Sequence, residues 1–392
     1  MKETKFKDTE IGKIPEEWEV KKLGAVFDIG NGRDYKHLNT GKIPVYGTGG
    51  LMTYVNEYLY DGETVCIGRK GTINMPQYHN GKIWTVDTLF YTYNFRKTDV
   101  KFLYYLTQRI DWNSYNTATG VPSLTSQNIS NILVSFPPLH EQHRIASALT
   151  SIDNLISSLG KQIEKKKNIK QGAMQQLLTG KTRLKGFSEL WVKRKLGDNA
   201  TIQRGGSPRP IEAYLTTNRD GINWIKIGDV RPNGKFMRHT MEKIIPEGIS
   251  HSRQVYKGDF ILSNSMSFGR PYILDIDGCI HDGWLVIKDY SNTYDMDFLY
   301  YILSYYILSS DTVFEQYIAM AAGSSVKNLN KEKVANVMLF APQSLAEQRA
   351  IATILNKMDN EITALETKKA KYEAIKQGMM QQLLTGKIRL IS

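Results

Sequence analysis

The feature that most constrains this chain is that a large part of it occurs twice. Gln175-Gln176-Leu177-Leu178-Thr179-Gly180-Lys181 returns unchanged as Gln381-Gln382-Leu383-Leu384-Thr385-Gly386-Lys387, 206 residues later. The match extends without a gap from 139–184 to 345–390, where 25 of 46 positions are identical. So long a period marks a duplicated, domain-sized unit and not a solenoid, whose repeats run to roughly 20–50 residues.

Other paired motifs follow the same duplication. Trp18-Glu19-Val20-Lys21-Lys22-Leu23-Gly24 opens one copy and Trp191-Val192-Lys193-Arg194-Lys195-Leu196-Gly197 the other. Asp61-Gly62 and Lys257-Gly258 read as turns leading into short strands at 64–67 and 260–262. Polar Gly/Ser loops follow them. Residues 99–105 match 295–301 through a shared Phe-Leu-Tyr-Tyr core whose spacing suits an amphipathic helix. Each copy then has a glycine turn (Gly120, Gly323), a leucine (Leu124, Leu329) and a strand-like run through Phe136 or Phe340. From the opening Trp to the glycine turn is 44 residues in the first copy and 67 in the second. One scaffold therefore carries two different intervening segments, 43–47 in one copy and 223–229 in the other.

The long repeat reads as a helix. Ser344-Leu345-Ala346-Glu347 fits a capping box. Pro138 takes the equivalent place in the first copy, with Glu141 in the first turn. Ile145, Leu149, Ile152, Ile156, Leu159 and Ile163 are spaced 4, 3, 4, 3 and 4; Ile351, Leu355, Met358, Ile362 and Leu365 keep the same phase. That is a coiled-coil seam. Its phase slips after Ile163 and Leu365 and resumes near Ile169 and Ile375. Gly180 and Gly386 are placed as C-terminal caps. Roughly 40 residues at about 1.5 Å each give rods of about 60 Å, expected to pack on each other because neither seam has another place to be buried. The expected fold class is mixed α+β, divided as 1–138, 139–184, 185–344 and 345–392: body, helix, body, helix.

Composition narrows the function. Apolar residues make up 41 % of 392, enough for real cores. No run approaches the length and apolarity of a membrane span, and Met1 to Lys5 lead into no apolar stretch. Two cysteines, Cys66 and Cys279, build no disulfide framework, so a reducing, cytoplasmic setting is expected. Net charge is +12, and 161–195 holds eleven Lys/Arg against Glu164 and Glu189. Such a block is a nucleic-acid face, a solvated helix face or a contact for an acidic protein.

Catalytic motifs fail on spacing. Gly180-Lys181-Thr182 lacks the glycine a phosphate loop needs five positions earlier, where Gln175 stands. His140 and His143 are three apart instead of four, and the second copy has Ala346 and Arg349 there. Phe136-Pro137-Pro138-Leu139 lacks the polar and aromatic flanks of an amino-methyltransferase loop. The chain reads as non-catalytic, with no metal and no cofactor of its own. What remains is recognition chemistry. Arg69, Lys70, Thr72 and Asn74 share a loop after the first copy's strand; Ser263, Asn264, Ser265, Ser267 and Arg270 occupy the matching loop. Arg33, Tyr46, Arg204, Arg209, Lys226, Asp229 and Arg231 lie in the segments that differ. Arg and Lys suit guanine or phosphate, Asn suits adenine, and Ser adapts to either. Singly, each also fits an exposed polar loop position; as a set they are DNA-binding candidates.

The Glu-Gln-x-x-Ile-Ala helix starts at 141–146 and 347–352, the two Gln-Gln-Leu-Leu-Thr-Gly-Lys-x-Arg-Leu ends and the opening Ile14-Pro15-Glu16-Glu17-Trp18 together carry a family likeness. Over essentially its whole length, the chain resembles the specificity subunit of type I restriction–modification systems. The resemblance implies two target-recognition domains, each reading half of a split, asymmetric site in double-stranded DNA. It implies that the two helices form an antiparallel coiled-coil spacer with a pseudo-twofold internal repeat. It further implies two modification (methyltransferase) subunits that hold S-adenosylmethionine, joined by ATP-dependent motor-nuclease subunits. Half-sites about one DNA turn apart need a separation of roughly 34–36 Å, within the reach of such rods. The alternative is a non-catalytic assembly scaffold or silent specificity subunit without defined DNA recognition.

Overall fold

Each copy of the long repeat folds as one uninterrupted helix of 39 residues: Leu139–Leu177, the central helix, and Leu345–Leu383, the C-terminal helix. The structure is a computed structural model and describes residues 4–230, 234–264, 269–308 and 330–391. The chain divides into two units, Met1–Lys161 with Glu366–Ser392, and Gln162–Leu365. Each unit thus combines a globular body, the start of the helix that follows it and the end of the other helix. The fold is mixed α+β.

Unit 1 centres on a six-stranded sheet, in the order Asp28–Asn31, Leu89–Tyr93, Tyr60–Gly68, Gln77–Thr85, Thr40–Gly47, Gly50–Val55. All neighbours are antiparallel except Thr40–Gly47, which runs parallel to Gln77–Thr85. The helix Val100–Thr107 starts at Asp99, whose carboxylate accepts from the Phe102 amide at 2.8 Å. Asp61-Gly62 is not a turn: it lies inside the strand Tyr60–Gly68, with Gly62 opposite Gly81. Both glycines have positive φ, +140° and +97°, so an irregular stretch of ladder is accommodated where a turn was expected.

Unit 2 has two five-stranded sheets. One runs Thr201–Arg204, Trp284–Lys288, Phe260–Ser263, Pro271–Leu274, Phe236–Met237; the other runs Leu215–Thr216, Glu242–Ile244, Ile222–Ile225, Gly278–Ile280, Arg253–Val255. Lys257-Gly258 is a turn, as its sequence suggests, with Gly258 at φ +90°. The helix Met296–Leu308 corresponds to Val100–Thr107. Gly323 and Leu329 lie outside the described residues.

Within each unit the two long helices meet. Asp153 pairs with Lys376 at 2.7 Å in unit 1. In unit 2, Lys166 pairs with Glu361 at 2.6 Å and Lys170 with Asp359 at 2.5 Å. One partner's number falls as the other's rises, so these segments are antiparallel. Ile145, Leu149, Leu159, Ile351, Leu355 and Ile362 are buried; Ile152, Ile156, Met358 and Leu365 are half-buried. Ile169 and Ile375 are exposed, at 48 % and 38 %, so the apolar phase does not resume there. The four–three spacing instead continues through the half-buried Lys170 to Leu177, and through the half-buried Lys369 and Lys376 to Leu383. Lys170 and Lys376 lay their stems along the seam and reach an acid at its edge.

The repeat motif is explained by a buried clamp. Glu141 is fully buried; its carboxylate accepts from Arg389 Nε (2.6 Å) and Nη2 (2.7 Å) and from Trp18 Nε1 (3.0 Å). In unit 2, Glu347 accepts from Arg183 Nε (2.7 Å) and Nη2 (2.8 Å) and from Trp191 Nε1 (3.3 Å). Glu347 therefore does not close a capping box; its oxygens are committed to the arginine at the end of the other helix. The neighbouring Gln142 accepts from the Asp99 amide and donates to the Pro137 carbonyl, both at 2.9 Å. Gln348 does the same with Asp295 (2.8 Å) and Pro342 (2.9 Å). Gly386 sits at φ +68°, and a Cβ there would fall 2.3 Å from Pro15 Cγ, beside the Trp18 ring. Gly180, at φ +70°, lies against Trp191 in the same way.

Arg389 is almost wholly buried, and the Glu141 carboxylate holds it above even its usual high pKa. Arg389→Ala would leave Glu141 charged and unpaired in the core. We expect a loss of about 3–5 kcal/mol in unit 1, seen as an early transition in chemical denaturation. Arg183→Ala should cost less in unit 2, because that arginine is about a third exposed.

Candidate nucleic-acid interface

In unit 1 the candidate residues gather around one four-residue turn, 86–89, closed by Leu89 N–H to Val86 C=O at 2.9 Å. The Arg33 amide donates to Thr85 (2.8 Å), the Val86 amide to Tyr46 (3.0 Å), and the Arg69 and Lys70 amides to Thr88 (2.8 and 3.2 Å). The Arg69 guanidinium then donates to the Asp87 carbonyl at 3.4 Å. Gly32 lets the chain pass close to this turn: a Cβ there would lie 1.9 Å from the Val86 carbonyl oxygen. Arg33, Arg69, Lys70, Thr72 and Asn74 are exposed.

Tyr46 is half-buried and stacks on His79, ring centroids 3.8 Å apart. His79 Nε2 lies 3.1 Å from Gln77 Oε1, and Gln77 Nε2 donates to the Gly47 carbonyl at 2.9 Å. The stack therefore orders the tip of the hairpin formed by Thr40–Gly47 and Gly50–Val55, where Leu51 and Met52 are exposed.

Unit 2 builds the same hub from other residues. Turn 281–284 is closed by Trp284 N–H to His281 C=O at 3.1 Å. The Gly206 amide donates to Ile280 (3.2 Å), the His281 amide to Ile225 (3.3 Å) and the Asn264 amide to Gly283 (3.0 Å). Arg204 Nε and Asn264 Nδ2 donate to the Asp282 carbonyl at 3.1 and 2.9 Å. Arg204 and Arg209 are exposed. Gly205 passes the turn as Gly32 does, a Cβ there lying 2.1 Å from the His281 carbonyl oxygen.

Several candidates are occupied inside the fold. Ser263 and Asn264 are buried; the Ser263 hydroxyl accepts from the Arg270 amide at 3.1 Å. Asp229 accepts from the Lys226 and Met241 amides, at 2.8 and 3.1 Å, and Lys226 Nζ pairs with Glu242 at 2.5 Å. These side chains shape the loops. Arg270 is half-buried with its guanidinium over Tyr272. Arg231, Ser265 and Ser267 lie outside the described residues. Sequence reasoning missed Asp87 and Asp282; the one signal available was an aspartate two positions after a strand in each copy.

His143 Nδ1 lies 2.5 Å from Asp99 Oδ2 and braces the body. Cys66 and Cys279 are buried and free, and burial pushes both thiols up. Among the described residues no helix is long and apolar enough to cross a membrane. In the basic block, Lys166 and Lys170 are engaged by acids of the C-terminal helix.

The profile of the type I restriction modification DNA specificity domain matches residues 15–170 and again 188–377. This chain belongs to that family. It is 26 % identical to the type I restriction enzyme MjaVIII specificity subunit of Methanocaldococcus jannaschii, over 99 % of this chain and 97 % of the relative. Its fold is similar to that of a type I restriction–modification S subunit from M. genitalium, with TM-score 0.65 and 16 % identity over 93 % of this chain and 96 % of the other. A second structure, from work on assembly and conformational transition of the type I system, aligns with TM-score 0.58 and 17 % identity over 96 % and 100 %.

Burial holds His79 neutral, with its pKa lowered from 6.5 to about 4. The unfolded chain therefore takes up the proton first. This contribution to stability is complete above pH 6.5 and declines as pH falls toward 4. His79→Asn should flatten the acid limb of the stability–pH curve across that window, measured by denaturation at stepped pH.

Proposed function

We propose that the chain is the DNA-reading, non-catalytic specificity subunit of a type I restriction–modification complex, acting in the cytoplasm. Each unit reads one half of a bipartite, asymmetric site in double-stranded DNA. The central and C-terminal helices serve as the antiparallel coiled-coil spacer of a pseudo-twofold subunit. They hold two modification subunits, whose S-adenosylmethionine supplies the methyl group, and ATP-dependent restriction subunits join that assembly. The observation that carries this reading is a shared hub dressed differently. The same backbone turn is flanked by Arg69 and Tyr46 in unit 1 and by Asn264 and Ile225 in unit 2. Equal frames with unequal side chains suit a reader of two different half-sites. Arg33, Arg69, Lys70, Thr72 and Asn74 make the unit 1 face; Arg204, Arg209 and Arg270 contribute to unit 2.

Duplex binding should weaken steeply with salt, and Arg69→Ala with Lys70→Ala should lower the slope of log K against log salt by about one for each phosphate no longer neutralised. An affinity indifferent to salt would reject a DNA-binding face. Exchanging residues 25–136 for another recognition domain should change one half of the methylated site and leave the other; sequencing of modified bases reads this directly. Leu149→Asp or Leu355→Asp places a charge at a fully buried position and should cost about 3 kcal/mol or more. Loss of copurifying modification subunits is the expected result.

A further inference from the structure

Asp87 and Asp282 occupy the same place in the two hubs. Thr85 pairs with Tyr46, and Ile280 with Ile225, in the parallel ladders that precede the turns. Gly68 pairs with Leu89, and Ser263 with Trp284, in the antiparallel ladders that follow. Counting inward from either ladder brings Asp87 onto Asp282. The turns read Val-Asp-Thr-Leu and His-Asp-Gly-Trp, so the aspartate is the one side chain they share. In both, its carbonyl is held by the residue after the central strand, Arg69 or Asn264.

Turn chemistry does not call for this residue. Aspartate is favoured at the first position of a type I turn, or where φ is positive; here it is second, and neither aspartate has positive φ. Asp87 is exposed, and none of the described residues donates to its carboxylate. The Asp282 side chain is 44 % exposed. Ser207 Oγ donates to its Oδ1 at 3.0 Å, and Arg209 Nη2 lies 3.9 Å from its Oδ2. A carboxylate amid basic loops is repelled by phosphate and can only accept hydrogen bonds. In the major groove the complementary donors are the amino groups on N4 of cytosine and N6 of adenine.

Resting on the reading of each unit as a DNA reader, we infer that Asp87 and Asp282 are specificity-determining residues. Each accepts a hydrogen bond from the exocyclic amino group of one cytosine or adenine in its own half of the site. Arg69 and Asn264 position the turn that presents the carboxylate. Guanine and thymine offer only acceptors at the corresponding groove positions and are rejected by the unpaired, repelled carboxylate.

The test uses the full chain, assembled with its coexpressed modification subunits, to select from a randomised duplex library. Asp87→Ala removes both the charge and the acceptor, whereas asparagine would itself pair with adenine. Preference for cytosine or adenine at one base pair of one half-site should fall about tenfold or more, with every other position retained. Asp282→Ala should do the same in the other half. Asp87→Leu and Asp282→Leu, checked by thermal melting, serve if an alanine variant does not fold. Unchanged preference, or a uniform loss of affinity with preference intact, overturns this inference and leaves the DNA-reading role standing. A wild-type assembly that selects no sequence at all overturns both.

Discussion

A buried carboxylate shared by an arginine and a tryptophan is the interaction on which this architecture depends. Glu141 stands in the first turn of the central helix, while Arg389 lies just beyond the last turn of the C-terminal helix. Trp18 belongs to the first body. Three elements far apart in sequence meet at one ion-paired site that is closed to water. A lone carboxylate there would be very unfavourable, whereas one given three donors is satisfied. Glu347, Arg183 and Trp191 make the same set of bonds, with the arginine about a third exposed. Helix ends that would otherwise fray are thereby tied down, and the glycines beside the tryptophans leave the room this requires.

That clamp explains why some of the chain is legible from its sequence. The long repeats carry the helix and the apolar spacing of its first half, because both depend on side-chain identity at fixed intervals; the capping box read at Ser344–Glu347 fails because Glu347 serves the clamp instead. The ionic middle of the seam is easily misread, since a lysine at a seam position looks like a break in phase. Lys170 and Lys376 keep the spacing through their aliphatic stems and place the charge at the edge. Asp61-Gly62 misleads for a related reason. An Asp-Gly pair signals a turn, yet here two positive-φ glycines face each other inside a ladder.

The recognition surface is harder to see. Loop side chains such as Ser263 and Asp229 have the chemistry of base readers, and the same chemistry equips them to hold a loop together. Only the backbone decides between these uses: Ser263 faces the Arg270 amide, and Asp229 the amides of Lys226 and Met241. The likeness of the two hubs is hidden for the opposite reason. It resides in hydrogen bonds between main-chain atoms and in two glycines, Gly32 and Gly205, so the surrounding sequence was free to diverge.

The division of the chain also sets an order of events during synthesis. Unit 2 is a single continuous stretch, Gln162–Leu365, and holds all its own parts once that stretch has been made. Unit 1 needs Glu366–Ser392 as well. Until those residues leave the ribosome, Glu141 has no arginine, and the body whose Trp18 donates to it lacks Met380, Leu383 and Leu384 from its core. The portion translated first is therefore completed last.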